Sequence, residues 1–253
     1  MSGPAGQQVT TPWTVFDAWL RRATALIMES AEGLNAINVY PVPDSDTGTN
    51  LRLTLDGIAS AVPGVTRDDL DTMVQAAILS AHGNSGAIVA EMLTSVARQL
   101  PDQGDETPAG ARLATLLRVA AVAARRAVAR PVEGTIVTVA EATADAAEVA
   151  RSDHPEDALA VAEAAQRAGR EALARTPDQL EVLAAAGVVD AGGQAYVLLV
   201  DALVETLGGE PAKPLTSVTP AAVAARPGEN GRPPVEYEVM YALRGAPAAG
   251  RQA

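Results

Sequence analysis

Asp44 and Asp46 stand two residues apart in the stretch PVPDSDTGTN. Carboxylates that close repel one another unless a cation lies between them, and donors that are all oxygen suit Mg²⁺ or Ca²⁺ rather than zinc. Pro41 and Pro43 keep the preceding backbone extended and forbid a helix there. A turn at Ser45 would converge the two side chains, and Gly48 permits a sharp turn into a helix beginning near Thr49. Free amides at a helix start favour a phosphate group. The same two acids also fit ordinary duty as turn and N-cap residues. Two other motifs do not fit. An EF-hand loop read from Asp44 puts Gly48 fifth and Leu55 twelfth, where oxygen ligands belong. A nucleophilic Asp-x-Asp pair ends an apolar central strand, which the two prolines exclude.

Three further breaks carry glycine and polar residues. AHGNSG (His82, Gly83, Asn84, Ser85, Gly86) offers a helix start with small side chains and two donors. EGTIVT carries Thr135, and GVVDAGG carries Asp190, Gly192 and Gly193. Each has a capping explanation by itself. Together they recur in one helix-prone chain, and antiparallel helices would bring alternate breaks to the same end.

The elements that must position these breaks are helical. Trp13, Phe16, Leu20, Ala23, Leu26 and Ile27 define the apolar face of a helix over about 13–32, with Gly33 as its stop. Further helices are expected from about Thr49 to Pro63, from Thr66 to the HGNSG break, on to about Leu100, and over 111–129 and 136–149. Others begin at His154–Asp157 and at Thr176–Asp178, and a last one spans Gln194–Leu207. This predicts an all-α antiparallel barrel or bundle of about eight helices. Residues 1–12 read as a disordered lead, 13–208 as the helical domain, and 209–253 as a Pro-rich tail, a linker and possible start of a following domain. Within that tail VEYEVMYAL forms one candidate strand.

Composition narrows the function. Apolar residues make up 48% of 253 and aromatic residues only 3%, so the core is built from Ala, Val and Leu. A net charge of −12 argues against nucleic acid and anionic lipid as partners. Lys213 is the sole lysine and lies in the tail, so no phosphate loop of the Walker type exists. Cysteine is absent, which removes thiolate chemistry and disulfides. No apolar run approaches the ~18 residues of a membrane span, so no integral membrane segment is expected. The N-terminal residues lack a signal-peptide pattern, which makes a cytoplasmic location the expectation.

The stretches LNAINVYPVPDSDTGTN, AHGNSGAIVAEML, GTIVTVAEA and GVVDAGGQAYVLLVDAL resemble, in order and spacing, the nucleotide-binding L-domain (DhaL) family of dihydroxyacetone kinases. The chain is most similar within it to the N-terminal ATP-binding domain of bacterial fatty-acid kinase A. The resemblance covers about 13–208. It implies a barrel of eight helices with ATP at one end, its phosphates bridged by two Mg²⁺ ions. Asp44 and Asp46 would ligate metal, with Asn38 where dihydroxyacetone kinases place another Asp. Thr47, Gly48, Thr49 and Asn50 would border the phosphates. His82, Gly83, Asn84, Ser85 and Gly86 would form a phosphate-contacting turn. Thr135, Asp190, Gly192 and Gly193 would line the nucleotide pocket.

The implied function is a kinase domain transferring the terminal phosphate of ATP to an acceptor, a fatty acid presented by a separate DegV-like acyl-carrying protein. The alternatives are a nucleotide-binding regulatory module without turnover and a dihydroxyacetone-type kinase subunit. ATP or ADP is the expected nucleotide, and a homodimer is admitted. The sequence departs from the family where Ser45 replaces the usual Gly, Leu51 a frequent Met, and His82 a frequent Arg. A positive φ at residue 45 would strain Ser where Gly would be at ease.

Overall fold

A computed structural model describes residues 11–100 and 106–216. Among these residues all regular structure is helical, in ten α-helices and one 3₁₀ turn at Arg67–Asp69. Eight helices are long: α1 (Pro12–Ala36), α2 (Thr47–Ala61), α3 (Leu70–Ser80), α4 (Gly83–Ala97), α5 (Ala109–Ala127), α6 (Ile136–Asp153), α7 (Ala158–Ala174) and α10 (Ala191–Thr206). Two short ones, α8 (Thr176–Gln179) and α9 (Glu181–Ala186), fill the connection between α7 and α10. The expected all-α architecture is therefore observed. The single helix expected from Thr176 is instead split at Leu180, whose extended backbone interrupts it. The candidate strand at 235–243 lies outside the described residues.

Short connections make successive helices antiparallel, and α10 packs on α1 to close the ring. Consequently α2, α4, α6 and α10 all begin at one end of the barrel, while α1, α3, α5 and α7 begin at the other. The first helix starts where the sequence dictates. Thr11 and Thr14 form a reciprocal cap, and Pro12 occupies the first turn, where its missing N–H does no harm. Its buried face carries Trp13, Phe16, Leu20, Ala23, Ile27 and Leu34. Elsewhere alanine lets helices approach closely: Ala121, Ala124, Ala140, Ala144, Ala162 and Ala165 are all essentially inaccessible.

Gly33 does not stop α1, which continues through it to Ala36. The reason lies 182 residues away. A Cβ on Gly33 would sit 2.7 Å from the carbonyl oxygen of Leu215. Residues 209–216, expected to be linker, run back along α1. Ala212 donates its amide to Glu205 (2.8 Å) and accepts from Arg22 (3.2 Å), and the Leu215 amide donates to Ser30 Oγ (3.0 Å).

The two ends differ in character. At the end where α1 and α5 begin, a cavity of about 200 Å³ is lined by apolar side chains, including Phe16, Trp19, Met92, Leu116 and Leu199. No helix among the described residues is long and apolar enough to cross a membrane.

Candidate functional site

The acidic loop between α1 and α2 is held by one side chain. Asn38 is 4% exposed. Its Oδ1 accepts from the amides of Asp46 (3.1 Å) and Thr47 (2.9 Å), and its Nδ2 donates to the Val42 carbonyl (3.2 Å). Both lone pairs of the amide oxygen are thereby engaged, and Asn38 staples the loop to the start of α2. Ser45 has φ +57°, the left-handed turn the spacing called for, and Ser adopts it without glycine's ease.

That turn brings Asp44 and Asp46 together. The Asp44 carboxyl is raised above its usual range by desolvation and then by the charge of and hydrogen bond with Asp46. Among the described residues no arginine pairs with either acid. Asp46 occupies the N-cap position of α2 yet makes no capping bond. Its carboxylate is not committed to the helix. Two adjacent carboxylates without a cationic partner are the donor set that a hard divalent cation fits, and Mg²⁺ characteristically takes one or two carboxylates plus water and phosphate oxygens. No cluster of three or more acidic or histidine side chains is found among the described residues, so the protein's own set here is the pair.

The start of α2 is otherwise largely occupied. Thr49 and Asn35 exchange hydrogen bonds, the Thr49 amide to Oδ1 at 3.1 Å and Asn35 Nδ2 to the Thr49 hydroxyl at 2.9 Å. With Thr47 bound to Asn38, Gly48 is left as the one first-turn amide not engaged among the described residues. A Cβ on Gly48 would lie 2.1 Å from the Ala31 carbonyl oxygen, so glycine here lets α2 lie directly on α1.

The start of α4 is different. His82 sits at its N-cap without capping it, and its amide donates to Thr54 Oγ1 (3.1 Å). The ring Nδ1 donates to the Ser80 carbonyl (2.7 Å). The amides of Gly83, Asn84 and Ser85 have no partner among the described residues, the condition for an anion site at a helix start. Gly83 has φ +58° and would press a Cβ onto Asn50 Nδ2 at 2.3 Å. Gly86 similarly faces Thr54 Oγ1 (2.3 Å). The HGNSG turn is thus packed against the first two turns of α2.

The third and fourth breaks meet through Asp190. This buried carboxylate accepts from the Gly193 amide (2.7 Å) and from the Ile136 amide, joining the starts of α10 and α6. Burial pushes its carboxyl up to about 6, opposed by those two hydrogen bonds. The Asp190 amide donates to Thr176 Oγ1 (3.1 Å). Thr135 makes no cap; its hydroxyl donates to the Val132 carbonyl (2.8 Å). A Cβ on Gly192 would meet Ile136 at 3.3 Å. A second apolar cluster ties this pair to the acidic loop: Ile37, Leu183, Ala186, Val188 and Ala191, with Val39, Tyr40 and Leu215 packed on it.

All four breaks therefore adjoin at one end of the barrel. Within that end Asn38 and Asp190 face backbone amides of the fold. Asp44 and Asp46 bond only within their own loop and have no cationic partner among the described residues, and the first α4 amides have no acceptor there. Sequence reasoning missed Asn35, Thr54 and Thr176, which hold the breaks in place. The available signal was weak: polar residues with poor helix propensity placed in or beside helices.

The fold and this cluster define an all-α barrel that builds its polar centre from helix starts. The chain belongs to the DAK2 domain family, whose model matches residues 41–205. It is 31% identical over 188 residues to Protein YloV of Bacillus subtilis (strain 168), covering 73% of this chain and 34% of that protein. It is 32% identical, with the same coverage, to an uncharacterized protein of Staphylococcus aureus (strain bovine RF122 / ET3-1). The chain thus spans about a third of the length of these curated relatives. Among solved structures, the native dihydroxyacetone kinase of C. freundii matches with a TM-score of 0.55 at 18% identity, covering 81% of this chain and 37% of that one. The same kinase in complex with AMP-PNP and Mg²⁺ gives 0.53 at 20%, with the same coverage. The resemblance to the L-domain of dihydroxyacetone kinases and the all-α fold are borne out.

Proposed function

We propose that this chain is an ATP- and Mg²⁺-dependent phosphotransferase domain, and that its acceptor is a fatty acid presented by a separate DegV-like carrier protein. The observation that carries the reading is that Asp44 and Asp46, converged just before α2 and without a cationic partner among the described residues, share one end of the barrel with the open amides of Gly83, Asn84 and Ser85. Asp44 and Asp46 would hold divalent metal, two ions by analogy with the family. When bound, the metal would neutralise charge on the phosphates and favour in-line attack on the terminal one. The α4 amides and the Gly48 amide would receive phosphate oxygens. Thr47, Thr49, Asn50 and Gly86 would border the phosphates, with Asn35, Asn38 and Thr54 fixing the turns beneath them. Thr135, Gly192 and Gly193 would lie against the nucleotide, and Asp190 would set their spacing. His82 would stand beside the phosphates at the place where the resemblance expects an Arg.

A carboxylate acceptor needs no general base, because it is already ionised at neutral pH. Its oxygen would attack the terminal phosphorus as the bond to ADP breaks. The absence of any lysine at this end agrees with a site that relies on metal and backbone donors. A span of one third of its relatives favours one other reading, a nucleotide-binding module that turns over only with further domains. The test supplies the full chain with Mg·ATP and a fatty acid-loaded carrier, and in parallel with dihydroxyacetone. Acyl phosphate in the first mixture supports the proposal. Nucleotide binding without product in either supports the module, and product from dihydroxyacetone alone overturns the acceptor.

A further inference from the structure

We infer that residues 209–216 form a strap whose Leu215 positions the acidic loop, so that nucleotide affinity depends on the strap being docked. This deepens the proposed function and rests on it for its nucleotide readout.

Helix α10 ends at Thr206, at the end of the barrel away from the four breaks. The chain then reverses. The Gly209 amide donates to the Val204 carbonyl (2.9 Å), which turns the backbone out of the helix. Arg22 and Glu205 pair at 2.8 Å, and both clasp Ala212. From there the strap climbs α1 to Ser30 and Gly33. Ser30 is fully buried and its hydroxyl receives the Leu215 amide. A main-chain bond of this kind fixes the strap's height along α1, and the glycine lets its backbone reach contact distance.

The destination of Leu215 gives the strap its consequence. Its side chain packs on the second apolar cluster. That cluster contains Ile37, Val39 and Tyr40, which lead into the acidic loop, and Val188 and Ala191, which lead into α10. Asn38 lies between Ile37 and Val39 and orders the amides of Asp46 and Thr47. Leu215 thus presses on the residues that flank the staple. Removing its isobutyl group would free that flank and let the Asn38 bonds open, with some loss of contact to the main core, on which Leu215 also packs. Mid-helix glycine at 33, unfavourable by about 1 kcal/mol against alanine, has a physical reason only if this docking matters.

The experiment uses the full chain and three variants. Leu215→Ala removes the contact, Leu215→Met restores its volume, and Leu203→Ala lowers stability at the opposite end, beside the apolar cavity. Mg·ATP affinity is measured by calorimetry, and hydrogen exchange is followed without nucleotide. Leu215→Ala should weaken affinity about five- to tenfold, within the range for coupled positions. Leu215→Met should recover most of it, and Leu203→Ala should leave it unchanged despite a lower melting temperature. Exchange at the Asp46 and Thr47 amides should rise in Leu215→Ala, while exchange at the Val65 amide, held by Asp17 at 2.9 Å, should not. Equal affinity and unchanged loop exchange in Leu215→Ala would overturn the strap. If the parent chain binds no nucleotide, the proposed function falls instead, and the exchange comparison still decides the strap.

Discussion

Two of the four helices that begin at the cavity end are capped by their N-cap side chain, against one of four at the other end. At the cavity end, Thr11 caps α1, Asp157 caps α7 at 2.9 Å, and Asp69 folds back onto Thr66 before α3. Each of these bonds is local, while α5, with Pro108 at its N-cap, has no side-chain cap and sends its Ala111 amide to the Pro155 carbonyl (2.9 Å). At the other end, Asp46, His82 and Thr135 stand at N-cap positions and cap nothing. Only Asp190 does so. Stability alone would favour capping by about 1 kcal/mol per helix. The end that forgoes it retains a carboxylate pair and a row of amides for something outside the fold. Polar groups not spent on capping, rather than polar groups as such, distinguish the end proposed to hold the nucleotide.

Four changes, one of them with a paired control at the cavity end, should break or sharpen this contrast. Gly48→Ala places a methyl against the Ala31 backbone, so α2 must move off α1. A loss of about 3 kcal/mol in urea unfolding is expected; a neutral result would mean the close approach is dispensable. Asn38→Ala removes the acceptor for two amides and should lower stability by about 2 kcal/mol, with loss of nucleotide affinity. Asp157→Ala, its counterpart at the cavity end, should lower stability by about 1 kcal/mol and leave affinity intact. An equal effect of the two on affinity would erase the distinction between the ends.

The third change concerns Asp190, whose folded value of about 6 lies above the ordinary 3.8. Between those values the folded state binds more proton than the unfolded one. Its contribution to stability is therefore greatest below about pH 4 and declines as pH rises through 6. Asp190→Asn should abolish that decline. The difference between parent and variant should change by on the order of 1–2 kcal/mol between pH 4 and 7, measured by denaturation at each pH. The smallest expected effect is that of Ser45→Gly. Relieving the left-handed serine should raise stability by about 0.5–1 kcal/mol without loss of affinity.

Much of this was legible in the chain, because the features were local. The apolar period of α1, the Thr66 start and the four glycine breaks each reflect neighbours in sequence. Antiparallel reasoning then placed alternate breaks at one end. What stayed hidden depends on contacts between distant residues. Gly33 reads as a terminator and is instead a docking point for Leu215. The part of Asn38 as a staple shows only in its bonds to the amides of Asp46 and Thr47. The tail after Gly208 reads as linker by its prolines, while Ser30, Arg22 and Glu205 hold it in place.

The account depends on Asp44 and Asp46 gripping a divalent cation that carries the nucleotide. Calorimetry of Mg·ATP with the full chain, Asp44→Ala and Asp46→Ala is the most direct test. Binding by the parent that requires Mg²⁺, and that falls at least about a hundredfold in either variant, is the predicted result. Affinity and metal dependence that survive in both variants would contradict it.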